Sequence, residues 1–237
     1  MSKDDKALSG KSRRAEVDGF LRTLAATPRV TVPARRGRLI FAMDATASRQ
    51  PTWDQACHIQ AQMFTQTAAL GGLEIQLCYF RGLLEFHCCP WTNTPERLLA
   101  NMSEVSCQAG HTQIEQVLRH AQDEVSGGRV DALVFVGDCV EEDSGPLWRR
   151  AGELGLRGLP VFIFHEGGDP AAGRVFREIA RLSRGAYCPF DATSPQQLRD
   201  LLNAVAVYAA GGRQALADFS RGAGEAVHRL AHQISKD

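Results

Sequence analysis

The sequence contains almost no lysine, and what it has lies near the two ends. Its four lysines are Lys3, Lys6, Lys11 and Lys236, and arginine supplies the rest of the 27 positive charges. Reaction mechanisms that need a lysine side chain from the central part of the chain are therefore excluded. The phosphate-binding patterns GxxxxGK[ST] and strand-linked GxGxxG are also absent, so no local motif supports nucleotide binding.

Net charge is lacking as well, because the 27 basic side chains are balanced by 27 acidic ones. The positive excess lies in residues 1–38, which we interpret as a solvated segment. Without a clustered basic surface and interleaved aromatic residues, we expect no nucleic-acid partner. The sequence also has no run of 18 apolar residues and no signal-peptide segment, so we expect no contact with a membrane.

The seven cysteines are an odd number and form no CxxC pair. Several of them lie within apolar runs, where a thiol behaves as a small hydrophobic group. This usage is typical of a reducing compartment, and we expect a cytoplasmic protein. The frequent arginine and alanine favour a bacterial source.

Strand and helix patterns alternate between residues 37 and 210. LIFAMD at 39–44 is typical of a buried strand, and residues 51–70 have helical periodicity. The runs at 73–80 and 83–89 predict a hairpin, hence one antiparallel edge strand. Further strands are predicted at 130–137, 161–165 and 186–190, and helices near 95–103, 112–126, 145–156, 171–184 and 195–209.

This alternation predicts a three-layer α/β/α domain of the Rossmann-like type, with a mostly parallel sheet covered on both faces. The domain is expected to span residues 37–210. Residues 1–36 are expected to form a polar tail, a short helix and a linker that contains two prolines. Residues 211–237 keep a helical spacing of apolar side chains, which predicts a C-terminal helical extension.

Oxygen-bearing side chains follow two of the predicted strands and precede one predicted helix. Three short segments carry them: Asp44-Ala45-Thr46-Ala47-Ser48 after the first strand, Gly110-His111-Thr112 ahead of a helix, and Gly137-Asp138 after the most apolar strand. Ligands of open α/β sheets bind at the carboxyl ends of the strands. We therefore expect these segments to meet at one edge of the sheet.

Together the three segments offer two carboxylates and three hydroxyls, without a soft ligand. Asp44, Thr46 and Ser48 occupy alternate positions, so their side chains can point into one concavity. Mg²⁺ prefers oxygen ligands and takes one or two carboxylates from a protein. The segments therefore predict a site for a hard cation. The alternative is that the same residues only cap helices and form Asx-turns, without a metal.

The three segments resemble, in type and in order, the metal-ion-dependent adhesion site of von Willebrand factor A (VWA) domains, which is built from DxSxS, a distant Thr and a distant Asp. The resemblance covers roughly residues 37 to 210. It implies a VWA-like fold, with the antiparallel edge strand that the hairpin also predicts. It further implies a metal site for Mg²⁺, or for Mn²⁺ or Ca²⁺, formed by Asp44, Thr46, Ser48, Thr112 and Asp138.

Two positions depart from the family pattern. Thr46 stands where serine is more common, which keeps the hydroxyl oxygen, adds a methyl group and stiffens χ1. In the third segment Cys139 follows Asp138, so the permissive glycine that many members have at this turn is missing. The absence of glycine at this turn affects the direction in which the Asp138 carboxylate points.

The resemblance implies a binding module and not an enzyme. In this interpretation a partner protein supplies an Asp or Glu side chain that completes the shell of the metal ion. A metal-free interaction scaffold of the same fold is the alternative. A hydrolase with Cys139 as nucleophile is a third possibility, and it is disfavoured because the lysine that isochorismatase-type hydrolases use is absent from the central region.

Two further clusters have simple interpretations. Glu141, Glu142 and Asp143 are expected to cap the following helix, favoured by its dipole. The segment His87-Cys88-Cys89 lies on a predicted strand, where alternation directs the two thiols to opposite faces. The histidines of the sequence form no spaced ligand pair either, so we do not expect a zinc site at this segment.

Overall fold

The computed structural model describes residues 36–190 and 195–234. A six-stranded sheet forms its centre. The strands are β1 (Gly37–Asp44), β2 (Leu73–Arg81), β3 (Glu85–Cys88), β4 (Ala132–Gly137), β5 (Val161–Glu166) and β6 (Ala186–Phe190). The tail, helix and linker predicted before residue 36 lie outside the described residues.

The strand order is β3-β2-β1-β4-β5-β6. All neighbouring strands are parallel except β2 and β3, which form an antiparallel hairpin at one edge. The prediction of a mostly parallel sheet with one antiparallel edge strand is confirmed. Because the chain continues to β2 on one side of β1 and to β4 on the other, a crevice opens at the carboxyl ends of β1 and β4.

In the described part of the chain, eight α-helices flank the sheet. They are α1 (Gln50–Ile59), α2 (Ala61–Thr67), α3 (Pro95–Ser103), α4 (Ile114–Gly127), α5 (Ser144–Leu156), α6 (Pro170–Leu182), α7 (Pro195–Ser220) and α8 (Glu225–Ile234). The single helix predicted over 51–70 is divided in the structure. Gln60 separates α1 from α2, where the N–H of Met63 donates to the Gln60 carbonyl three residues earlier, a tighter bond than in an α-helix.

The sheet has a hydrophobic core on each face, as expected when parallel strands are covered by helices on both sides. Along β1, Leu39, Phe41 and Met43 point into one core, and Ile40 and Ala42 into the other. Side chains of α1, α2, α3, α7 and α8 complete the first core, and those of α4, α5 and α6 complete the second. The domain therefore has the predicted three layers.

The C-terminal helices pack against the sheet. Helix α7 contains Gly212, whose φ of 69° and ψ of −165° interrupt the helical backbone. Beyond this point the apolar side chains on the predicted helical spacing remain buried in the first core: Leu216, Val227, Leu230 and Ile234. The region predicted as an extension thus shares the core of the sheet domain. None of the helices within residues 36–190 and 195–234 is long and apolar enough to cross a membrane.

Candidate metal centre

Asp44 is the last residue of β1, and its side chain is 1% exposed. Its Oδ1 accepts a hydrogen bond of 2.7 Å from the N–H of Thr46, which forms an Asx-turn where the strand ends. Its Oδ2 is buried and has no hydrogen-bond partner within the described part of the chain. Asp44 Oδ1 therefore forms an Asx-turn, which was the alternative to a metal site. Asp44 Oδ2 takes no part in this turn.

Burial raises the pKa of Asp44 to about 6, and the hydrogen bond from the Thr46 N–H opposes this change. The nearby carboxylate of Asp138 raises the pKa further. A buried, ionised carboxylate without a full set of partners is costly. A cation at Oδ2 would remove this cost.

Thr46 and Ser48 lie in the turn that follows Asp44. Thr46 precedes the 3-10 helix Ala47–Arg49, and its side chain makes no capping hydrogen bond there. Ser48 is exposed, and its hydroxyl donates to Asp138 Oδ2 at 3.4 Å. The two segments predicted to meet at this edge of the sheet are therefore joined directly.

Asp138 follows β4 at the crevice beside β1. Its Oδ1 is buried without a hydrogen-bond partner among the residues described. Ligand atoms of Asp44, Asp138 and Cys139 all lie within 4.8 Å of one another. The backbone of Asp138 is held by buried His165, whose Nε2 contacts the Asp138 carbonyl oxygen at 3.0 Å. Two carboxylates thus converge, each with one oxygen that lacks a hydrogen-bond partner within residues 36–190 and 195–234.

Arg49 and Glu166 also belong to this site, although neither residue was predicted from the sequence. A guanidinium nitrogen of Arg49 lies 2.9 Å from Asp138 Oδ2, and a second one pairs with Glu166. Thr52 donates its hydroxyl to the same Glu166 carboxylate. Arg49 directly follows the first segment, and Glu166 ends β5 beside β4. The sequence signal that could have identified these two residues is their position after the ends of predicted strands.

Thr112 is held by Glu141. The N–H of Thr112 donates to the Glu141 carboxylate at 2.9 Å, and the Thr112 hydroxyl accepts from the Glu141 N–H at 3.0 Å. Among the described contacts of Thr112 there is no hydrogen bond to Asp44 or Asp138. Gly110 sets this loop against the β2–β3 turn, because a Cβ at Gly110 would lie 1.8 Å from the Gly82 carbonyl oxygen.

The acidic residues after Asp138 cap two different helices. Asp143 accepts from the Gly145 N–H and caps its own helix α5, as predicted. Glu142 instead accepts from the N–H groups of Ile114 and Glu115 at 2.6 and 2.8 Å, at the start of α4. The β4–α5 loop is thereby tied to the loop that carries Thr112.

Known structures resemble this domain, although no protein-family model and no curated protein matches the sequence. The VWA domain of SpRpn10 is 14% identical at a TM-score of 0.52, over 75% of this chain and 97% of that one. The vWF domain of the pili tip protein Mfa5 from Porphyromonas gingivalis is 10% identical at a TM-score of 0.56, over 73% of this chain and 94% of that one.

A third structure is proximal thread matrix protein 1 from the mussel byssus with a zinc-occupied MIDAS motif, where MIDAS denotes the metal-ion-dependent adhesion site. It is 15% identical at a TM-score of 0.58, and the match covers 73% of this chain and 48% of that protein, about half of its length. The chain has a VWA-like fold.

The donors of the VWA-like domain fit a hard cation. Asp44 Oδ2 and Asp138 Oδ1 are the two carboxylate oxygens that are buried without a hydrogen-bond partner in the described residues, and the hydroxyl of Ser48 is at hydrogen-bond distance from Asp138. The missing glycine after Asp138 causes no strain. Arg184 is the only non-glycine residue of the described chain with a positive φ, so Cys139 adopts an ordinary backbone conformation.

Cys139 lies beside the two carboxylates of the VWA-like domain. Burial, and after it the charge of Asp138, raise the pKa of its thiol to about 12. A thiol in this state is a poor nucleophile. An open cleft of about 620 Å³ adjoins the site, with lining side chains that include Arg49, Asp138, Cys139, Glu166, Asp169 and Phe190.

Proposed function

We propose that the VWA-like domain binds a divalent cation and, through it, an acidic side chain of a partner protein. The observation that carries this proposal is the pair of buried oxygens Asp44 Oδ2 and Asp138 Oδ1, which have no hydrogen-bond partner within the described residues and whose carboxylates converge at the switch point of the sheet. Two acceptor-only carboxylates that converge, each with one such oxygen, call for a shared cation.

The oxygen donors favour Mg²⁺, with Mn²⁺ and Ca²⁺ as alternatives. Asp44 and Asp138 would supply the charged ligands, and Ser48 and Thr46 would supply hydroxyls from the turn. Thr112 would act from the neighbouring loop, where Glu141 fixes its position. The zinc-occupied MIDAS motif of the mussel protein, whose structure this domain resembles, supports a cation site in the domain.

Arg49 limits how much negative charge is available to the cation. It engages Asp138 Oδ2 and Glu166, so Asp44 and the second oxygen of Asp138 remain. When bound, a cation with so few protein carboxylates keeps an exchangeable position that an incoming carboxylate can occupy. The cleft beside Asp138 gives such a side chain room to approach.

The surroundings of the site suggest which partner segment would fit. Leu83 and Leu84, in the β2–β3 turn, are 69% and 90% exposed. This turn touches the loop that carries Thr112, since the His111 N–H donates to the Gly82 carbonyl at 3.1 Å. We therefore propose a partner segment in which an Asp or Glu is flanked by apolar side chains.

One observation favours the metal-free scaffold as a second candidate. The guanidinium of Arg49 is itself a cation held between Asp138 and Glu166, and its side chain is only 10% exposed. In this alternative Arg49 alone stabilises the acidic cluster, and partners bind without a metal. The two candidates differ in whether a chelator affects binding.

We also propose that the domain is not catalytic and that it works in a reducing, cytoplasmic compartment. The raised pKa of the Cys139 thiol supports the first statement. The seven unpaired cysteines support the second.

The test uses Mn²⁺ as the metal and acetate as the carboxylate. The full chain is freed of metal with a chelator, loaded with Mn²⁺, and mixed with acetate, whose methyl proton linewidth is measured. Coordination of acetate to the bound paramagnetic ion is expected to broaden this signal beyond the level that free Mn²⁺ produces. Asp44→Ala is expected to abolish the excess broadening, and Asp54→Ala, which changes an exposed carboxylate on α1, is expected to retain it.

Excess broadening that is equal in wild type and Asp44→Ala would contradict the assignment of the site. Mn²⁺ binding without any acetate effect would contradict the proposed role of the partner carboxylate. If wild type binds neither Mn²⁺ nor acetate, the metal-free scaffold replaces the proposal.

A further inference from the structure

Two cysteines face each other across the edge hairpin, away from the site described above. Cys78 on β2 is paired with Cys88 on β3. The Cys89 N–H donates to the Leu77 carbonyl at 2.8 Å, which makes Leu77 and Cys89 a hydrogen-bonded pair. The adjacent pair, Cys78 and Cys88, is therefore a non-hydrogen-bonded one, the kind in which opposite side chains approach more closely.

His120 completes this cluster from helix α4. One of its ring nitrogens and the two sulfurs of Cys78 and Cys88 all lie within 4.8 Å of one another. Cys78 is fully buried, whereas Cys88 and His120 are half-buried. Cys89 is excluded by strand alternation, because it packs into the core on the opposite face of the sheet.

Neighbouring polar groups fix the tautomer of the neutral His120 ring. Glu124 accepts from Trp91 Nε1 at 3.0 Å and from Gln76 Nε2 at 3.3 Å. Because a carboxylate only accepts, the Gln76 amide nitrogen must face Glu124, and its Oε1 faces His120 Nε2 at 2.8 Å. In the neutral ring Nε2 therefore carries the proton, and Nδ1 keeps its lone pair.

This arrangement is typical of a histidine that binds a metal. Such histidines donate one ring N–H to a carboxylate, a carbonyl or another acceptor, which orients the ring and increases the basicity of the other nitrogen. Here Trp91, Glu124 and Gln76 form a chain of hydrogen bonds that ends at His120. The imidazole is thus prepared to act as a ligand.

We propose that Cys78, Cys88 and His120 form a second metal site that takes Zn²⁺. Two sulfurs and one imidazole nitrogen are the donors that select this ion, in contrast to the oxygens around Asp44. On binding, both thiols lose their protons to solvent and become thiolates, so the two new negative charges balance the ion. Solvent reaches the half-buried side, where water supplies the fourth ligand. The site ties the edge hairpin to α4.

The test replaces Zn²⁺ by Co²⁺, which reports on thiolate ligands spectroscopically. The full chain is reduced with a phosphine, freed of metal and titrated with Co²⁺ in excess Mg²⁺, which occupies any site for hard cations. One Co²⁺ per chain is expected to produce a thiolate-to-cobalt charge-transfer band and the visible bands of a tetrahedral complex. Zn²⁺ is expected to displace the Co²⁺ and remove these bands.

Cys88→Ser is expected to lose at least half of the charge-transfer intensity, and His120→Gln to weaken Co²⁺ binding at least about tenfold. Cys89→Ser is the matched control, because it changes the adjacent thiol on the opposite face, and it is expected to keep the spectrum. Asp44→Ala is expected to keep it too, which separates this site from the proposed function. Circular dichroism establishes that each variant is folded.

A measurement on the wild type makes the test independent of the variants. Zn²⁺ is expected to protect half-buried Cys88 from alkylation and to leave the labelling of half-buried Cys107 unchanged. The proposal is overturned if the reduced protein gives no charge-transfer band, or if the band survives Cys88→Ser or disappears in Cys89→Ser. It is also overturned if Zn²⁺ does not bind and Cys78 and Cys88 are recovered as a disulfide.

Discussion

The guanidinium of Arg49 lies 2.9 Å from Asp138 Oδ2, while Asp138 Oδ1 has no hydrogen-bond partner in the described structure. The two oxygens of one carboxylate therefore have different surroundings. Oδ2 is neutralised by Arg49, whereas Oδ1 is left over, as is Oδ2 of Asp44, whose carboxylate lies within 4.8 Å of that of Asp138. Asp138 Oδ2 therefore belongs to a structural ion pair with Arg49, whereas Asp138 Oδ1 is available to an external cation.

Arg49→Met should destabilise the metal-free protein. The substitution leaves buried Glu166 and half-buried Asp138 without their cation, and breaking a buried ion pair such as Arg49–Glu166 costs about 3–5 kcal/mol. The same change should increase the stabilisation by Mg²⁺, because the cation then meets more uncompensated charge. Thermal unfolding with and without Mg²⁺ measures both effects. Arg119→Met, at an exposed position on α4, is the control, and an equal loss of stability in both variants would contradict this account.

Asp44→Asn should stabilise the metal-free protein while it abolishes metal binding. The amide keeps an oxygen acceptor for the Thr46 N–H and removes a buried charge, a gain of about 1–3 kcal/mol at neutral pH. Since the folded pKa of Asp44 is raised to about 6 from 3.8, metal-free wild type loses stability as the pH rises through this interval. The advantage of the variant should therefore grow between pH 4 and 6. Denaturant unfolding that shows wild type to be the more stable protein at pH 7 would refute this prediction.

Glu142→Ala should weaken the start of helix α4. The Glu142 carboxylate accepts from two N–H groups there, those of Ile114 and Glu115. Loss of such a cap costs about 0.5–2 kcal/mol. Amide hydrogen exchange should accelerate at these two residues, and Glu104→Ala, at an exposed position, should leave it unchanged. Unaltered exchange in Glu142→Ala would mean that the cap contributes nothing.

Cys139 should react slowly with iodoacetamide. Its thiol has a pKa raised to about 12, so at neutral pH its thiolate fraction is far below that of an ordinary cysteine. We expect labelling at least about tenfold slower than in a short peptide that contains cysteine. Peptide mass spectrometry over time gives the rate. Preferential labelling of Cys139 over all other cysteines would instead support the hydrolase alternative.

The sheet and its edge hairpin could be predicted because each strand is a short apolar run that ends in turn residues. Asp44 and Asp138 could be placed together for the same reason, since both follow strands that are parallel neighbours. Each of these features is encoded in one short segment. The alternation of strands and helices is then enough to place the segments in one sheet.

Arg49 and Glu166 follow strand ends, but their pairing with each other, like the Cys78–Cys88–His120 cluster, could not be predicted in this way. Arg49 meets Glu166 only through the order of the strands, and His120 reaches the two cysteines from a helix on one face of the sheet. The sequence predicted that Glu142 caps the helix that follows it, so its capping of α4 was not predicted either. Each of these contacts joins segments that are distant in sequence.

The central claim is that Asp44 and Asp138 hold a divalent cation, and calorimetric titration tests it most directly. The chelator-treated full chain is titrated with Mg²⁺ and with Mn²⁺, beside Asp44→Ala. The account predicts saturable binding at one oxygen-lined site in wild type and its loss in Asp44→Ala, which remains folded. Absence of binding to folded wild type, or equal binding by both proteins, would contradict it.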